Sequence, residues 1–371
     1  MVKKIFFPLE VFYPSQAGGP ANSIYWVTKN LLKHDFKPTI ISTDKGLQPK
    51  VPVNKWIESD GGKVIYIKTK SLNFPFHQII LALANFSKSD VVHLSSFFFP
   101  TSFVTAFAAR LLRKKIVWSA RGELDTAALN HSRMRKLPIL WCLKKIFKKY
   151  PTFHSTCREE TEYIRMVFGD RARVAEIPNY IEIPDKAARN SGKYILYIGR
   201  IHPKKAIDNL IKAVLMSEEF MNSDFVLKIA GTGKKEFEND LRELVDKLGL
   251  NQKVIFVGQV EGIEKQKILA DAFWTIMPSH TENFGIVVLE SLAQSTPVIA
   301  SKGSPWASLE VEQIGFWTEN SPEMLASKID DVFKMPDSEY EKYRSRCRGF
   351  VEREFDIQKN IGRWVDLYES L

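Results

Sequence analysis

The segment Phe273–Ser301 has the sequence FWTIMPSHTENFGIVVLESLAQSTPVIAS, and its internal pattern decides the fold. Its two ends, 273–277 and 297–301, are short apolar runs with the length and composition of buried strands. Between them, from about residue 285 to 294, apolar residues recur at helical spacing. Because a strand, a helix and a second strand in this order form a parallel β-α-β unit, the segment predicts an α/β fold.

The same alternation of apolar runs and amphipathic stretches continues along the whole chain. It predicts strands at 4–7, 38–42, 63–67, 90–94, 115–119 and 152–156, and again at 194–198, 225–230, 253–257, 273–277 and 297–301. It predicts helices near 22–34, 101–113, 134–148 and 159–168, and near 206–219, 235–248, 263–270 and 285–294. Between the two sets, prolines bracket the extended run Ile177–Pro184, which indicates an interdomain linker. We therefore expect two doubly wound Rossmann-like domains, 1–180 and 181–355, facing across a cleft.

Length and composition agree with two folded domains. The chain has 371 residues, of which 44% are hydrophobic, and this is too long for one ordinary core. Its three cysteines, at 142, 157 and 347, form neither a CxxC pair nor a disulfide framework, which favours a reducing, cytoplasmic compartment. The stretch Val91–Ala109 lacks charged residues and is nearly long enough to cross a bilayer, but Pro100 and several polar residues favour a strand, a turn and a helix.

The net charge of +10 is concentrated in the N-terminal half. Residues 1–180 contain 28 Lys+Arg and 13 Asp+Glu, a charge of +15, whereas residues 181–371 contain 25 and 30, a charge of −5. This imbalance indicates an anionic partner, either nucleic acid or a membrane surface. The segment 131–150 mixes basic and apolar residues without an acidic one. It is typical of a helix that binds an anionic membrane, or of a core-packing helix with a solvated basic face.

Two of the predicted strands in the C-terminal half end in polar or glycine-rich turns. Arg200 follows the strand 194–198 directly, and Lys205 precedes the next helix. A positioned Arg and Lys can stabilise the charge that develops on a leaving diphosphate without a metal ion, although a solvated basic loop would have the same spacing. The GxG turn 231–233 either lets the backbone approach a ligand or only turns the chain.

The loop 278–285 leads from a predicted strand straight into a helix. The free N–H groups of such a helix N-terminus, from about Phe284 to Val287, form an anion site suited to phosphates. Further along the helix, Glu290 could accept hydrogen bonds from two ribose hydroxyls, and Glu282 on the loop could contact a sugar. In the alternative interpretation, Glu282 is a favourable charge near the helix N-terminus and Glu290 is an exposed surface residue.

Taken together, these motifs resemble those of the retaining GT-B glycosyltransferases of family 4. Glu282 and Glu290 are similar to the E-x7-E signature of that family, and Arg200 with Lys205 resembles its Arg/Lys pair. The segments 228–233 and 253–260 resemble its GxG turn and the stretch whose backbone meets the nucleotide base. The resemblance implies the GT-B fold, with an acceptor-side N-terminal domain, a donor-binding C-terminal domain, and a last helix, 356–371, that returns to the first domain.

The resemblance also implies a role for each matching residue. Arg200 and Lys205 would neutralise the leaving diphosphate, and Glu282, the third residue of the catalytic set, would contact the sugar. The donor-binding set would be Gly18, Gly19, Gly231, Val260, Asn283, Phe284, Gly285, Ile286, Leu289 and Glu290. The implied reaction moves a hexose-type sugar from a UDP- or GDP-sugar with retention of anomeric configuration, without a metal ion or another cofactor.

The chain departs from the family pattern at three positions. Arg121 stands where many relatives carry a histidine in the N-terminal cleft, which makes it a candidate contact to the sugar or the acceptor. Ala206 stands for the glycine that usually follows the lysine, and Ser295 for the glycine that ends the E-x7-E helix.

The segments 119–124, 303–306 and 315–317 resemble a branch of the family associated with bacterial surface polysaccharides, such as lipopolysaccharide, O-antigen and capsule. That branch implies a lipid-linked saccharide acceptor and a peripheral position on the inner face of the cytoplasmic membrane. A GT-B epimerase or phosphorylase would share the cleft. A non-catalytic basic adaptor for membrane or nucleic acid is the alternative from another class, but the donor motifs in the acidic half argue against it, so we expect no nucleic-acid partner.

Overall fold

The structure is a computed structural model that describes residues 2–15, 19–130, 133–148 and 150–371. It divides into an N-terminal unit, Met1–Glu182 with Ile357–Leu371, and a C-terminal unit, Ile183–Asp356. The sequence predicts a boundary after residue 180 and a returning helix at 356–371.

The N-terminal unit is built on an eight-stranded sheet. Its strands are β1 (Lys3–Pro8), β2 (Phe36–Thr43), β3 (Trp56–Ser59), β4 (Gly62–Ile67), β5 (Val91–Ser95), β6 (Lys115–Ser119), β7 (Thr152–Ser155) and β8 (Arg173–Glu176). Its first helices are α1 (Gly19–Leu31), α2 (Phe76–Asn85), α3 (Pro100–Leu111), α4 (Thr126–Asn130), α5 (Arg133–Phe147) and α6 (Arg158–Phe168). The strand order is β3-β4-β2-β1-β5-β6-β7-β8, and β3 pairs with β4 antiparallel while the other neighbours pair parallel.

The C-terminal unit is built on a six-stranded parallel sheet. Its strands are β9 (Tyr194–Ile198), β10 (Val226–Ala230), β11 (Val254–Gly258), β12 (Thr275–Met277), β13 (Val298–Ser301) and β14 (Gly315–Thr318). Its helices are α7 (Ile207–Met216), α8 (Glu218–Asn222), α9 (Lys235–Lys247), α10 (Gly262–Asp271), α11 (Ile286–Ala293), α12 (Ser308–Val311), α13 (Pro322–Lys334) and α14 (Asp337–Glu354). The order β11-β10-β9-β12-β13-β14 is that of a doubly wound sheet, so the prediction of two Rossmann-like domains is confirmed.

The last part of the chain returns to the N-terminal unit. Two helices, α15 (Ile357–Asn360) and α16 (Gly362–Glu369), belong to that unit. The hydroxyl of Tyr368 on α16 lies 2.6 Å from Nδ1 of His93 on β5, and both side chains are buried. The returning segment is therefore anchored to the sheet by a buried hydrogen bond.

The charge-free stretch Val91–Ala109 consists of β5, a turn and most of α3, which begins at Pro100. The missing N–H of proline is harmless at the first position of a helix, and this explains why α3 begins there. The prediction of a strand, a turn and a helix is confirmed. Among the described residues, no helix has both the length and the apolar character needed to cross a membrane.

Within the basic segment 131–150, residues 133–147 form α5, and residues 131, 132 and 149 lie outside the described residues. One side of α5 packs into the core through Leu140, Leu143 and Phe147. Other apolar side chains of the same helix are exposed: Met134 by 86%, Leu137 by 47% and Trp141 by 67%. A helix that packs into the core and exposes only a basic face would not explain these exposed apolar side chains of α5.

Candidate active site

The candidate site lies at the carboxyl ends of β9 and β12 in the C-terminal unit. These two strands are neighbours in the sheet. From β9 the chain adds β10 and β11 on one side, and from β12 it adds β13 and β14 on the other, so the strand order reverses between β9 and β12. In open α/β sheets, ligands bind beyond the carboxyl ends of the strands at such a reversal point. The topology therefore brings together the Arg200 turn, which follows β9, and the loop 278–285, which follows β12.

The turn after β9 presents its cations on a fixed backbone. The hydroxyl of Tyr197 donates to the carbonyl oxygen of Arg200 at 2.9 Å, which holds the turn against the strand. The Arg200 side chain is exposed, and its guanidinium has neither a hydrogen bond nor an ion pair with the described residues. Nδ1 of His202 accepts from the backbone N–H of Lys204 at 3.2 Å and so caps the short 3-10 turn that ends at Lys205.

Lys205 forms an ion pair with Glu282, and the hydroxyl of Ser279 donates to the same carboxylate at 2.9 Å. The two charged side chains are 22% and 12% exposed, so the pair is shielded from bulk water but open on one side. A backbone hydrogen bond of 2.9 Å from His280 to the carbonyl oxygen of Lys204 ties the two loops together. The structure therefore places two predicted catalytic residues in direct contact.

The electric field around this turn is strongly positive. Burial lowers the pKa of His202, and the charges of Arg200, Lys205, Lys204 and Lys234 lower it further, in that order. The imidazole therefore stays neutral, which keeps Nδ1 free to accept the hydrogen bond that caps the turn. Four cations within electrostatic reach of one side chain favour an anionic ligand such as a diphosphate.

The loop after β12 enters α11 through a left-handed glycine. Gly285 has a φ of +78°, and a Cβ atom there would lie 2.8 Å from Sδ of Met277. Only glycine fits a position that combines this backbone conformation with so close a neighbour. Phe284 is buried against Trp306 (ring centroids 5.2 Å apart), and its carbonyl oxygen accepts from Nε1 of Trp306, so its backbone N–H rather than its side chain remains for a ligand. Beyond it, the first amides of α11 lack intrahelical partners, as at any helix N-terminus.

Glu290 lies on α11 and is paired with Lys265 on α10. Nζ of Lys265 is 2.7 Å from Oε1 of Glu290, and the glutamate side chain is only 15% exposed. The alternative interpretation of Glu290 as an exposed surface residue is therefore wrong. Neither Lys265 nor Ser279 was predicted from the sequence. Each glutamate of the E-x7-E pair has a lysine partner, and of these two lysines only Lys205 was predicted as a site residue, without its pairing to Glu282.

The remaining predicted donor-binding residues differ in what they can offer. Gly231 and Gly233 lie close to the backbone of a neighbouring segment of the chain. A Cβ atom at Gly231 would lie 1.9 Å from the carbonyl oxygen of Gly199, and a Cβ atom at Gly233 would lie 2.0 Å from the carbonyl oxygen of Ile201. The side chains of Val260 and Leu289 are buried, at 6% and 0% exposure, and Leu289 lies within α11, so neither side chain is presented to a ligand. Asn283 and Ile286 are partly exposed. Gly18 lies outside the described residues, and Gly19 is the first residue of α1.

In the N-terminal unit, Arg121 follows β6 in a left-handed conformation with a φ of +55°. Its Nη1 donates to Oδ1 of Asn179 at 3.2 Å and to Oγ of Ser23 at 3.5 Å, and its Nε donates to Oγ of Ser95 at 3.4 Å. Burial lowers the pKa of Arg121, and the nearby Glu160 opposes this effect. Most of the guanidinium therefore points at its own chain.

Beneath Arg121, a chain of buried hydrogen bonds crosses three strands. Because the carbonyl oxygen of Ile177 can only accept, Nε2 of His154 carries the proton (2.9 Å), and Nδ1 accepts from the hydroxyl of Ser119 (2.8 Å). Ser119 in turn accepts from Nε2–H of His93 (2.8 Å), whose Nδ1 accepts from the Tyr368 hydroxyl (2.6 Å). Burial and the charge of Arg121 lower the pKa of His154 to about 3, so this imidazole stays neutral.

The donor set of the candidate site suits an anion better than a cation. In the part of the chain that the structure describes, no three His, Cys, Asp or Glu side chains group closely enough to hold a metal ion. The expectation that the reaction needs no metal ion stays a prediction.

Two family models match consecutive parts of the chain. Residues 17–183 match the model described as Glycosyltransferase Family 4, and residues 180–349 match the model described as Glycosyl transferases group 1. The structure of Anabaena HepE in complex with UDP-glucose superimposes with a TM-score of 0.80 at 16% identity, over 100% of both chains. The chain has the GT-B fold, and each of its two halves is similar to a family of glycosyltransferase domains.

Two curated relatives are similar over part of their length. The chain is 37% identical over 166 residues to D-inositol 3-phosphate glycosyltransferase of Acidothermus cellulolyticus, which covers 40% of this chain and 37% of the relative. It is 26% identical over 199 residues to the O-antigen chain mannosyltransferase RfbU of Salmonella typhimurium, which covers 53% of this chain and 54% of the relative. The chain thus spans between about a third and a half of the length of these relatives.

Proposed function

We propose that the protein is a glycosyltransferase whose C-terminal unit holds the diphosphate of a nucleotide sugar. The observation that carries this proposal is the cluster at the reversal point of the sheet, where Arg200, whose guanidinium has no partner among the described residues, lies on the same turn as Lys205, the partner of Glu282. The exposed cation can bind an anion without first breaking an internal ion pair. The N-terminus of α11, which follows the Glu282 loop, supplies further donors.

Each group in the cluster has a role in this proposal. Arg200 and Lys205 neutralise the charge that develops on the leaving diphosphate, which lowers the energy of the transition state relative to the bound substrate. Glu282, held by Lys205 and Ser279, accepts hydrogen bonds from the sugar. Glu290, held by Lys265, accepts hydrogen bonds from the two ribose hydroxyls. Retention of configuration and a metal-free reaction are part of the proposal, on the strength of the E-x7-E and Arg/Lys motifs.

The relatives support a proposal for the donor and acceptor classes. HepE, whose fold this chain shares, is described in complex with UDP-glucose, which supports a UDP-sugar or a similar GDP-sugar as the donor. RfbU is an O-antigen chain mannosyltransferase, which supports a saccharide acceptor in surface polysaccharide synthesis. We propose a lipid-linked saccharide, because α5 exposes Trp141 among lysines, as a membrane-facing helix does.

The donor site is tested by substitution. Arg200→Ala and Lys205→Ala should each lower the rate of sugar transfer by about 100- to 1000-fold, the scale of removing one group that stabilises transition-state charge. Thermal unfolding should stay close to that of the wild type, because both side chains are partly exposed. Lys212→Ala is the matched control, since it removes a surface cation of the same unit whose only described partner is Asp208. Full activity in both site variants would refute the donor assignment.

The assay should begin with the donor. UDP- and GDP-sugars are screened for thermal stabilisation of the protein, then for hydrolysis, and then for transfer to lipid-linked saccharides. Formation of an isomerised sugar nucleotide or of a sugar phosphate without an acceptor would instead indicate an epimerase or a phosphorylase. Membrane contact is tested by flotation with anionic vesicles, which Trp141→Ser should weaken if α5 forms the contact.

A further inference from the structure

A second basic site lies in the N-terminal unit, at the end of its sheet where β6, β7 and β8 begin. A pocket of about 350 Å3 is lined by Lys115, Thr152 and Arg173, which are the first residues of β6, β7 and β8. These three strands are parallel neighbours, so their amino ends meet at one edge of the sheet. Arg121 and the buried histidine chain belong to the carboxyl ends of the same strands. The pocket is therefore separate from every candidate residue described above.

The pocket is strongly basic. Its lining contains five cations and, among the described residues, no Asp or Glu side chain; the cations are Arg110, Arg113, Lys114, Lys115 and Arg173. Leu371 also lines the pocket, and its α-carboxylate offsets one of these five charges in this structure. None of the five forms an ion pair with another described residue. Like charges gathered around one small volume repel each other, and a bound anion removes that cost.

Two of the cations that line the pocket, Arg110 and Lys114, are held in place by neutral groups, so their charges are not cancelled. The guanidinium of Arg110 lies over the ring of Tyr150 at 4.2 Å from its centroid. Nζ of Lys114 donates to the carbonyl oxygens of Ser87 and Ser89 at 2.7 and 2.8 Å, and the Tyr150 hydroxyl donates to the carbonyl oxygen of Lys114 at 2.8 Å. Two cations are thus positioned by neutral partners and keep their full charge. This arrangement differs from a set of freely solvated lysines, which would carry no such contacts.

Guanidinium and ammonium groups that converge on a small pocket match the oxygens of a phosphate group, which accepts several charge-assisted hydrogen bonds at once. Beside the pocket, α3 ends in two exposed leucines, Leu111 at 82% and Leu112 at 54%. Apolar side chains next to a cationic pocket would suit a phosphate that belongs to a lipid headgroup. A soluble phosphate compound would use the cations alone.

We propose that the pocket at the amino ends of β6, β7 and β8 binds the phosphate group of an anionic ligand. This site is independent of the proposed donor site, and the two can be tested separately. The chemistry is the same for a phospholipid headgroup and for a free phosphate compound, so the experiment separates these two sources.

The test compares two triple variants of the full chain. The pocket variant is Arg113→Gln/Lys115→Gln/Arg173→Gln, whose residues are exposed and lack an ion pair with described residues, so folding should be retained. The control variant, Lys50→Gln/Lys55→Gln/Lys70→Gln, removes the same charge from exposed positions of the same unit. Both leave the donor site intact, so phosphate binding at that site cancels from the comparison.

Two ligands are measured with each protein: inorganic phosphate, by titration calorimetry, and phosphatidylcholine vesicles with and without phosphatidylglycerol, by sedimentation. We expect the pocket variant to lose at least about tenfold in affinity for one of these ligands and the control to stay within about twofold. Loss of vesicle binding, shared by a Leu111→Ser/Leu112→Ser variant, would identify a lipid headgroup. Loss of phosphate binding with unchanged vesicle binding would identify a soluble ligand. Equal behaviour of the pocket and control variants with both ligands would overturn the proposal.

Discussion

The carboxyl ends of the two sheets carry polar clusters of opposite character. In the C-terminal unit, Arg200, Lys205 and Glu282 are at least partly exposed, and their charges are arranged around an open face. In the N-terminal unit, His93 and His154 are buried, and each ring nitrogen is used in an internal hydrogen bond. The same topology thus supports two different uses of polar residues. One cluster is available to a ligand, and the other binds its own strands together.

This contrast predicts that substitutions in the two clusters separate stability from binding. His154→Phe keeps the shape of the ring but leaves the Ser119 hydroxyl and the Ile177 carbonyl oxygen without their partner. We expect a loss of about 3 kcal/mol in the free energy of unfolding, because each buried polar group left unsatisfied costs about 1–3 kcal/mol. Nucleotide-sugar affinity should not change. Urea denaturation and calorimetric titration of the same preparation measure both quantities.

Glu290→Gln is the matching substitution in the other cluster. It should weaken nucleotide binding by about tenfold while it changes the free energy of unfolding by less than about 1 kcal/mol, because glutamine keeps the size of the side chain and its amide oxygen can still accept from Nζ of Lys265. If instead His154→Phe lowered donor affinity and left stability intact, the division between the two clusters would be wrong.

The contrast also extends to pH. Burial raises the pKa of Glu123 in the N-terminal unit to about 7, although Ser96 and the N–H of Phe97 donate to its carboxylate. Between its ordinary pKa and about 7, the folded protein holds this proton and the unfolded chain does not, so stability is lost as the pH rises through that window. We expect the wild type to lose about 2–3 kcal/mol more than Glu123→Gln between about pH 5 and pH 8. Identical pH profiles from denaturation at both pH values would mean that Glu123 ionises normally.

Lys265 offers a sharper test of the cluster in the C-terminal unit. Its ion pair among the described residues is with Glu290, so we expect it to affect nucleotide binding only through that glutamate. Lys265→Ala should weaken binding of UDP by up to about tenfold, and Lys265→Arg should restore most of it. With a nucleotide that lacks both ribose hydroxyls, the difference between wild type and Lys265→Ala should disappear, since Glu290 then has nothing to bind. An equal loss with both nucleotides would show that Lys265 contacts another part of the ligand.

The sequence predicted the sheets better than the contacts between side chains. Periodicity located the central strands, but it missed the edge strands β3, β8 and β14, because edge strands such as WIES and RVAE bury too little to need an apolar run. Motif spacing located Arg200, Lys205, Glu282 and Glu290. It could not reveal Lys265, whose pairing with Glu290 depends on how α10 packs against α11. The buried histidine chain was equally hidden, since its members come from separate strands.

The smallest predicted effect is at Ala206 and Ser295, the two positions where the family pattern has a glycine and this chain lacks one. Their backbone conformations explain why glycine would be preferred at both. Ala206 and Ser295 have left-handed backbones, with φ of +49° and +62°. Ser295 ends α11 in a Schellman motif: its N–H donates to the carbonyl oxygen of Leu292 at 2.9 Å, and that of Thr296 to Ser291 at 3.1 Å. Ser295→Gly should relieve the strain and raise the free energy of unfolding by about 1 kcal/mol, whereas Ser295→Ala should give no such gain.

Ala206→Gly should gain less than Ser295→Gly, although the backbone strain is similar. The Ala206 methyl group is fully buried, and its removal costs about 0.8 kcal/mol, which offsets most of the relief. Thermal unfolding of the three variants ranks them directly, with an expected shift of about 2–4 °C for Ser295→Gly. A larger gain at Ala206 than at Ser295 would mean that its methyl group is overpacked, and that the turn bearing Lys205 is strained by the missing glycine.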